Sequence, residues 1–353
     1  PATAQLLTRR LHQAVREPLI LEGKPLEIGA SMGIAMYSEH GTTAEDLTRH
    51  ADAAMYAAKR NKSGIVLYDA ELERSSSDHV ARKGELRRAL SNGELLLHYQ
   101  PKFDLASGAV TGVEALVRWQ HPQHGLVFPD NFIPLAEETG LIKLLTQEVQ
   151  RLALRQCRLW LDAGMPLAVA VNISAIDLQD PDFPAQVDGL LRAARVPAGM
   201  LELEVTETAI MTDPLHAMRN IARLSEMGVQ VSIDDFGTGY SSMAYLKKLL
   251  VAKIKIDKSF VMDMNKDSND AVIVRSTIDL GHNLGLKVVA EGVEDQQSWD
   301  RLKVLGCDAA QGYYMSKPLP AEQFLQWYAN ISKPGAGTQY SKLAQRSGQG
   351  ATD

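Results

Sequence analysis

Apolar residues recur along residues 85–332 in short runs that alternate with polar positions, a pattern that predicts β-strands. Between the later runs, apolar residues return every three or four positions, which predicts amphipathic helices. The predicted strands cover residues 95–103, 110–119, 167–174, 200–205, 229–234, 253–257, 286–291 and 309–315. The predicted helices cover residues 132–163, 183–194, 214–227, 241–249, 271–284, 297–305 and 321–331. Several of these helices are followed by a glycine suited to a left-handed cap: Gly164, Gly228, Gly285 and Gly306.

Eight strands with interleaved helices over about 250 residues predict an α/β fold, a (β/α)8 TIM-like barrel. An open, doubly wound sheet is the alternative. Such a sheet commonly carries Gly-x-Gly-x-x-Gly after its first strand. The nearest match here, Gly237-Thr238-Gly239, lies deep in the chain and lacks the third glycine, so the barrel is favoured.

Composition divides the chain into four segments. Residues 1–70 mix helix and strand patterns, and residues 71–84 form a polar predicted linker. The barrel is expected at residues 85–332. Residues 333–353 are rich in Gly, Ser, Gln and Thr without an apolar period, which predicts a disordered tail.

Overall composition is that of a soluble globular chain: 353 residues, 45% hydrophobic and 23% charged, with a formal net charge of −6. The negative charge argues against a nucleic acid polymer as partner. Two cysteines are too few for a disulfide framework or a Cys-rich zinc site. So few cysteines make a reducing cytoplasm the expected location. With no long apolar span, we expect no membrane contact from this chain. Because it starts without Met or a leader, we expect it to be an internal piece of a longer protein, which missing upstream regions could tether to a membrane.

Charged and amide residues interrupt the predicted strands where only core is expected. Successive residues of a strand point to opposite faces, and in most of these strands the larger apolar side chains share one face. On the other face, five strands each carry such a charged or amide residue near the carboxyl end. These residues are Asn172, Glu204, Asp234, Lys255 and Glu291. The carboxyl ends of barrel strands are where barrel enzymes build active sites, so we expect the five side chains to meet there.

Several carboxylates in one desolvated mouth repel one another, and a divalent cation relieves that repulsion. Carboxylate and amide oxygens without Cys or clustered His favour Mg²⁺ or Mn²⁺. Asp235, beside Asp234, offers ligands for a second ion. Paired ions about 3.5–4 Å apart are the usual machinery of phosphodiester cleavage.

A set of ordered motifs resembles a known family. The motifs are Tyr99-Gln100-Pro101, Glu114-Ala115-Leu116-Val117-Arg118-Trp119, Val171-Asn172-Ile173-Ser174, Glu204-Val205-Thr206-Glu207, Asp234-Asp235-Phe236-Gly237-Thr238-Gly239-Tyr240-Ser241-Ser242, Lys255-Ile256-Asp257, Glu291-Gly292-Val293-Glu294 and Gln311-Gly312-Tyr313. Together they resemble the EAL family of cyclic-di-GMP phosphodiesterases, which have a modified (β/α)8 barrel, and the likeness covers about residues 85–331.

The resemblance implies roles for the polar residues at the strand ends. Ligands of a first metal would be Glu114, Asn172, Glu204 and Asp234. Ligands of a second would be Asp234, Asp235 and Glu291. Lys255 would hold the attacking water or neutralise developing charge, and Glu291 would help to activate that water.

It also implies how the dinucleotide is bound. Its contacts would be Gln100, Leu116, Arg118, Gln311, Glu294 and Tyr313. Arg118 would meet a phosphate by charge, Gln311 would support the site, and Glu294 and Tyr313 would line a guanine pocket. Glu207 would orient the loop 235–242, which in the family couples dimerisation to metal affinity, so a homodimer through the barrel is expected.

The implied activity is hydrolysis of cyclic-di-GMP to linear pGpG by water activated by two Mg²⁺ or Mn²⁺ ions, ending a bacterial second-messenger signal. Ca²⁺ would inhibit, permitting binding without cleavage. One alternative is a catalytically silent barrel that senses cyclic-di-GMP. Another is an aldolase-like barrel with Lys255 as a Schiff base, which would need a lowered lysine pKa.

The first seventy residues carry a second resemblance. Residues 31–35, Ser-Met-Gly-Ile-Ala, and the helical pattern at 51–60 are similar to the C-terminal half of a GGDEF (diguanylate cyclase) domain. The Gly-Gly-Asp-Glu-Phe loop itself is absent. We therefore expect a partial α+β remnant that cannot synthesise cyclic-di-GMP by itself.

Overall fold

A computed structural model describes residues 2–15, 19–21, 24–26, 29–60, 64–69, 82–239 and 243–331. The chain divides into two compact units, Pro1–Arg87 and Arg88–Asp353. Most of the predicted linker and the predicted tail at 333–353 lie outside the described residues. No helix in these described ranges is long and apolar enough to cross a membrane.

The first unit is a small α/β fragment. Its elements are α1 (Ala2–Val15), β1 (Leu19–Leu21), β2 (Lys24–Leu26), β3 (Met32–Ile34), α2 (Ala44–Arg60) and β4 (Ile65–Leu67). β1 and β2 pair antiparallel, whereas β3 and β4 pair parallel and need a crossover, which includes α2. α2 packs closely on β3, since a Cβ built on Gly33 would lie 2.0 Å from the carbonyl oxygen of Ala51. Glycine is therefore required at position 33.

A helix over residues 82–92 (α3) precedes the strands of the second unit. Its strands are β5 (Leu95–Asp104), β6 (Val110–His121), β7 (Gly125–Val127), β8 (Ala168–Ile173), β9 (Leu201–Thr206), β10 (Gln230–Phe236), β11 (Lys253–Ile256), β12 (Lys287–Ala290), β13 (Ala309–Ala310) and β14 (Leu319–Pro320). Its further helices are α4 (Ile133–Glu138), α5 (Ile142–Asp162), α6 (Ala175–Gln179), α7 (Phe183–Ala194), α8 (Glu207–Thr212), α9 (Pro214–Glu226), α10 (Met243–Leu246), α11 (Lys258–Asp263), α12 (Ser268–Asn283), α13 (Gln296–Val304) and α14 (Ala321–Ile331).

Eight of the described strands close into a barrel in the order β5, β13, β12, β11, β10, β9, β8 and β6, and the pairing of β6 with β5 completes the ring. This confirms the predicted barrel. β5 is unusual because it runs antiparallel to both neighbours, β6 and β13. The reason is local: residues 105–109 join β5 to β6, and so short a connection makes a hairpin, whereas a parallel pair needs a long crossover.

Three predicted elements differ in extent. The predicted helix at 132–163 is divided into α4 and α5, because Gly140 adopts a φ of +72° between them. The predicted strand at 309–315 is paired only at Ala309–Ala310. The predicted helix at 241–249 begins outside the described residues and is helical over Met243–Leu246.

Short helices also follow three of the barrel strands and were not predicted: α6, α8 and α11. A side-chain oxygen at the N-cap begins each of them. Ser174 accepts from Asp177 N, Thr206 from Ala209 N and Asp257 from Ser259 N. The caps turn the chain at the strand ends and so shape the mouth of the barrel.

Candidate active site

Polar side chains from five strands meet at the carboxyl end of the barrel. Asn172 lies near the end of β8 beside Glu204 of β9, and these two residues are paired across the strands. Asp234 lies in β10 and Lys255 in β11, and Glu291 immediately follows β12. The geometry thus brings together the five residues that alternation along the strands had placed on one face.

Lys255 lies at the centre of this group and is fully buried. Its Nζ atom lies 2.5 Å from Glu204 Oε2 and 2.6 Å from Glu291 Oε1. Asp234 Oδ1 is 3.1 Å away and Glu114 Oε2 is 3.7 Å away. Among the described residues, the Lys255 ammonium group therefore faces four carboxylates, one of which, Glu204, also contacts Lys102, and the acids outnumber these two lysines.

Glu114, buried in β6, joins this group to the first and last strands of the barrel. Asn172 Nδ2 donates to Glu114 Oε1 at 2.7 Å, and Gln311 Nε2 donates to Glu114 Oε2 at 2.7 Å. Gln311 also donates to Gln100 Oε1 at 2.8 Å. Because Asn172 donates through its amide nitrogen, its amide oxygen remains available as a ligand.

Three acids form a compact group beside Lys255. One carboxylate oxygen from each of Asp234, Asp235 and Glu291 lies within 4.8 Å of the other two. Asp235 adopts a φ of +51°, a left-handed conformation that is uncommon outside glycine. Its backbone N–H donates to Asp234 Oδ1 at 3.0 Å. This backbone geometry places two consecutive acids on the same site.

Burial and mutual repulsion shift the titration of these acids. Burial raises the pKa of Glu291 to about 8, and Asp234 adds to the shift although Lys255 opposes it. Burial likewise raises the pKa of Asp235 to about 6, with further contributions from Asp234 and Asp257. The pKa of Glu204 is raised by burial and then by Glu114. This group of acids therefore favours the binding of protons or of a cation.

Lys255 responds in the opposite sense. Burial alone would lower the pKa of its ammonium group, but the surrounding carboxylates Asp234, Glu114, Glu204 and Glu291 raise that pKa well above its ordinary value. Lys255 is therefore a permanent cation at neutral pH, not a neutral amine.

A cleft of about 480 Å³ opens above the acids. Among the predicted substrate residues, five line it: Gln100, Leu116, Glu294, Gln311 and Tyr313. Glu114, Asp234 and Glu291 contribute to its lining, while Lys255 and Glu204 are buried below. Lys258 and Met262 of α11 also line the cleft and were not predicted. A second, mostly apolar cavity of about 440 Å³ shares Leu116 and is lined by Asn172.

Arg118 and Glu207 also lie outside the lining of this cleft. Arg118 is buried in β6, where its guanidinium lies 4.9 Å from the ring centroid of Phe128 and donates to the carbonyl of Val117. Glu207 is the first residue of α8, and its Oε2 accepts a hydrogen bond from Gly237 N at 3.0 Å. Glu207 thus contacts the loop 235–242, of which residues 240–242 are outside the described part.

A second layer of charge lies inside the barrel beneath the acids. Lys102 of β5 is buried and pairs with Glu202 Oε1 at 3.3 Å and, more closely, with Glu204. Glu202 Oε2 lies 2.6 Å from Lys253 Nζ. The sequence analysis assigned no role to Glu202, Lys253 or Lys102, although alternation along the strands is a signal that could have found them. The same period applied to β5 puts Lys102 on the face of Gln100, which was the available signal.

The donor set fits hard divalent cations. The candidate ligand atoms are carboxylate and amide oxygens, the atoms that Mg²⁺ and Mn²⁺ prefer. Gln311 Oε1 is buried without a hydrogen-bond partner among the described residues, as expected for an atom that awaits a ligand or water. The unbalanced acids around Lys255 provide the charge that would attract such an ion.

Known proteins share these sequence features. The EAL domain family model matches residues 83–318, and the model for diguanylate cyclase, GGDEF domain, matches residues 2–64. The chain is 43% identical over 328 residues to the bifunctional diguanylate cyclase/cyclic di-GMP phosphodiesterase MucR of Pseudomonas aeruginosa, covering 92% of this chain and 48% of the relative. It is 36% identical to the cyclic di-GMP phosphodiesterase PdeR of Escherichia coli, covering 93% and 50%. The chain thus spans about half the length of these curated relatives.

Solved structures share the fold. The PaMucR phosphodiesterase in its c-di-GMP complex is 46% identical, with a TM-score of 0.66 over 68% of this chain and 98% of that one. An EAL domain protein from Listeria monocytogenes is 32% identical, with a TM-score of 0.63 over 70% of this chain and 98% of that one. With the family model covering most of the second unit, the chain belongs to the EAL domain family.

Proposed function

We propose that this chain hydrolyses cyclic-di-GMP to linear pGpG with the help of two divalent cations, Mg²⁺ or Mn²⁺. The observation that carries the proposal is the convergence of Glu114, Glu204, Asp234 and Glu291 around Lys255, with Asp235 beside them. These five acids outnumber the two lysines that contact them, Lys255 and Lys102, and the remaining negative charge would repel a cyclic dinucleotide, itself an anion, without bound metal. The names of the relatives support the same substrate.

The proposed ligand sets are those that the resemblance implies. The first ion would be held by Glu114, Asn172, Glu204 and Asp234. The second would be held by Asp234, Asp235 and Glu291. When bound, such ions supply Lewis acidity and lower the pKa of a water at the reacting phosphorus.

The reaction adds one water across one phosphodiester bond. The water oxygen bonds to phosphorus, the bond from phosphorus to the 3′ oxygen breaks, and the leaving oxygen takes up a proton. Lys255, a permanent cation at the centre of the acids, is placed to stabilise the negative charge that develops. Glu291, beside Lys255 and at the cleft, is placed to accept the proton from the attacking water.

Recognition of the dinucleotide would use the cleft. Gln100 and Gln311, joined by a hydrogen bond, form one side of it, and Glu294 and Tyr313 line it as candidates for contact with a guanine edge and face. Arg118 lies just beyond Leu116 in β6, and its Nε is buried without a hydrogen-bond partner among the described residues. A phosphate oxygen would satisfy that donor by a charge-assisted bond.

A silent sensor is the runner-up, and an aldolase is disfavoured. The sensor would bind cyclic-di-GMP in the same cleft without cleaving it, and the presence of all the proposed ligands argues against it. Schiff-base chemistry needs a neutral amine with a lowered pKa, whereas the carboxylates around Lys255 raise its pKa.

Three further assignments belong to this proposal. The first seventy residues would be the C-terminal part of a GGDEF domain, as the family match at residues 2–64 supports. The barrel would form a homodimer in which Glu207 and the loop 235–242 transmit the effect of dimerisation to the metals. The domain would act in the cytoplasm, with the barrel over residues 85–332.

Chromatography of the purified chain with cyclic-di-GMP and Mg²⁺ tests the proposal. Formation of pGpG that stops on chelation and is lost in Lys255→Met supports it. Calorimetric binding of cyclic-di-GMP without any pGpG would establish the sensor instead. Absence of both binding and turnover in a folded sample would reject the assignment.

A further inference from the structure

We infer that Lys102 is a positioning residue for the metal site, which it reaches through Glu204 from the opposite side of the barrel. The inference rests on the proposed function, because it concerns a residue proposed there as a metal ligand. Its basis is the buried layer of charge below the cleft, to which neither the strand pattern nor the reaction assigns a role.

The contact is made across the barrel interior. Lys102 lies on β5 and Glu204 on β9, and the pairing order places β6 and β8 between those strands on one side and β13, β12, β11 and β10 on the other. No backbone pairing therefore fixes Lys102 against Glu204. The side chains alone connect them, and both are buried.

Glu204 is held at both of its oxygens. Lys102 contacts Oε1, while Lys255 contacts Oε2 at 2.5 Å. Lys255 also faces Glu291, Asp234 and Glu114, so its place is shared with the other acids of the site. Lys102 has no such contact with the acids of the cleft among the described residues. Lys102 contacts Glu204 from the side away from the cleft. It would therefore hold Glu204 with Oε2 directed at the cleft while a cation competes with Lys255 for that oxygen.

Lys102 also belongs to a chain of alternating charges. Lys253 pairs with Glu202 Oε2 at 2.6 Å, and Glu202 Oε1 lies 3.3 Å from Lys102 Nζ. The sequence of contacts is therefore Lys253, Glu202, Lys102, Glu204 and Lys255. Buried ion pairs of this kind contribute little net stability, and fixing one arrangement is their better-supported use.

Positioning and simple charge make opposite predictions for metal affinity. A buried lysine close to a cation site repels the cation, so removing its charge should tighten metal binding if Lys102 is only a counter-charge. If Lys102 positions Glu204, removing it should weaken metal binding by about 10- to 100-fold, the usual cost of losing a partner that orients a ligand.

The experiment compares Mn²⁺ binding by calorimetry in wild type, Lys102→Met, the charge-balanced double variant Lys102→Met/Glu202→Gln, and the control Glu202→Gln. Circular dichroism and thermal melts verify folding of each. The single variant Lys102→Met leaves the buried acids Glu202 and Glu204 without the cation between them, and it is the variant most prone to misfold. The double variant removes one charge of each sign, so it can be tested even if the single variant does not fold.

We expect Mn²⁺ affinity to fall about 10- to 100-fold in the folded double variant and to change less than about threefold in Glu202→Gln, which keeps Lys102 on Glu204. The kcat should fall while the KM for cyclic-di-GMP stays near wild type, because Lys102 does not line the cleft. Unchanged or tighter Mn²⁺ binding in the folded double variant would overturn the inference. Failure of wild type itself to bind Mn²⁺ or cleave substrate would instead refute the proposed function.

Discussion

The side chain of Gln311 donates to Glu114 at 2.7 Å, so a residue just after the last barrel strand fixes a carboxylate of the second. Asn172 holds the other oxygen of Glu114 at 2.7 Å. Both oxygens of this acid are thus fixed in direction, which is the preorganisation that the proposed metal site would require.

Glu114→Ala should remove metal binding and turnover while leaving the fold intact, because it deletes a proposed ligand without opening the barrel. We expect at least about a 100-fold loss of kcat/KM. Calorimetry with Mn²⁺ and the chromatographic assay measure the two effects. Glu226→Ala, at an exposed acid of α9, is the matched control and should behave as wild type. Unchanged turnover in Glu114→Ala would exclude Glu114 from the site.

Replacing Mg²⁺ by Ca²⁺ should permit cyclic-di-GMP to bind but not to be cleaved. Ca²⁺ takes longer bonds and a looser coordination shell, which misplaces the water relative to phosphorus. Binding is measured by calorimetry in Ca²⁺, and turnover by pGpG formation. Equal turnover rates in the two metals would contradict the proposed geometry.

Glu207→Ala should reduce activity by about tenfold without removing a metal ligand. The change deletes a hydrogen bond from Gly237 to a charged acceptor, worth about 1.5–3 kcal/mol, and so loosens the loop that follows Asp235. Steady-state kinetics at several Mg²⁺ concentrations measure the effect. Glu207→Gln keeps an acceptor and should lose less. If the alanine variant needs no more Mg²⁺ than wild type and turns over equally fast, Glu207 does not orient this loop.

Gly312→Ala should destabilise the wall of the cleft. A Cβ at this position would lie 2.1 Å from the carbonyl oxygen of Val293, so the backbone beside Tyr313 must move, at a cost of about 1–3 kcal/mol. Thermal melts and the KM for cyclic-di-GMP report the change. Gly189→Ala, in α7 with open space at its Cβ, is the control and should be neutral or slightly stabilising. Equal melting temperatures for both variants would show that the backbone around Gly312 accommodates a Cβ without loss of stability, contrary to this prediction.

Much of the barrel could be predicted because apolar and polar residues alternate along most of its strands, and because its helices carry a regular apolar stripe. The antiparallel direction of β5 was readable from the short connection at 105–109 but was not predicted, since the pattern of a strand carries no direction. The break at Gly140 was missed because apolar spacing continues on both sides of it.

Part of the candidate site could be predicted, because polar residues lie near the carboxyl end of one predicted strand after another. Alternation places Asn172, Glu204 and Asp234 on one face, but only ring closure decides which side chains touch across the interior. The pairing of Lys102 with Glu204 is such a contact. Local periodicity holds no information about a partner on the far side of a ring.

The hydrogen bond between Gln100 and Gln311 joins positions 211 residues apart, at the first strand of the barrel and just after its last. The arrangement of the candidate site therefore depends on closure of the barrel. A nascent chain would not complete this contact until its final barrel strand docks, and a chain that lacks β5 or β13 would lose the hydrogen bond that joins the two ends of the barrel.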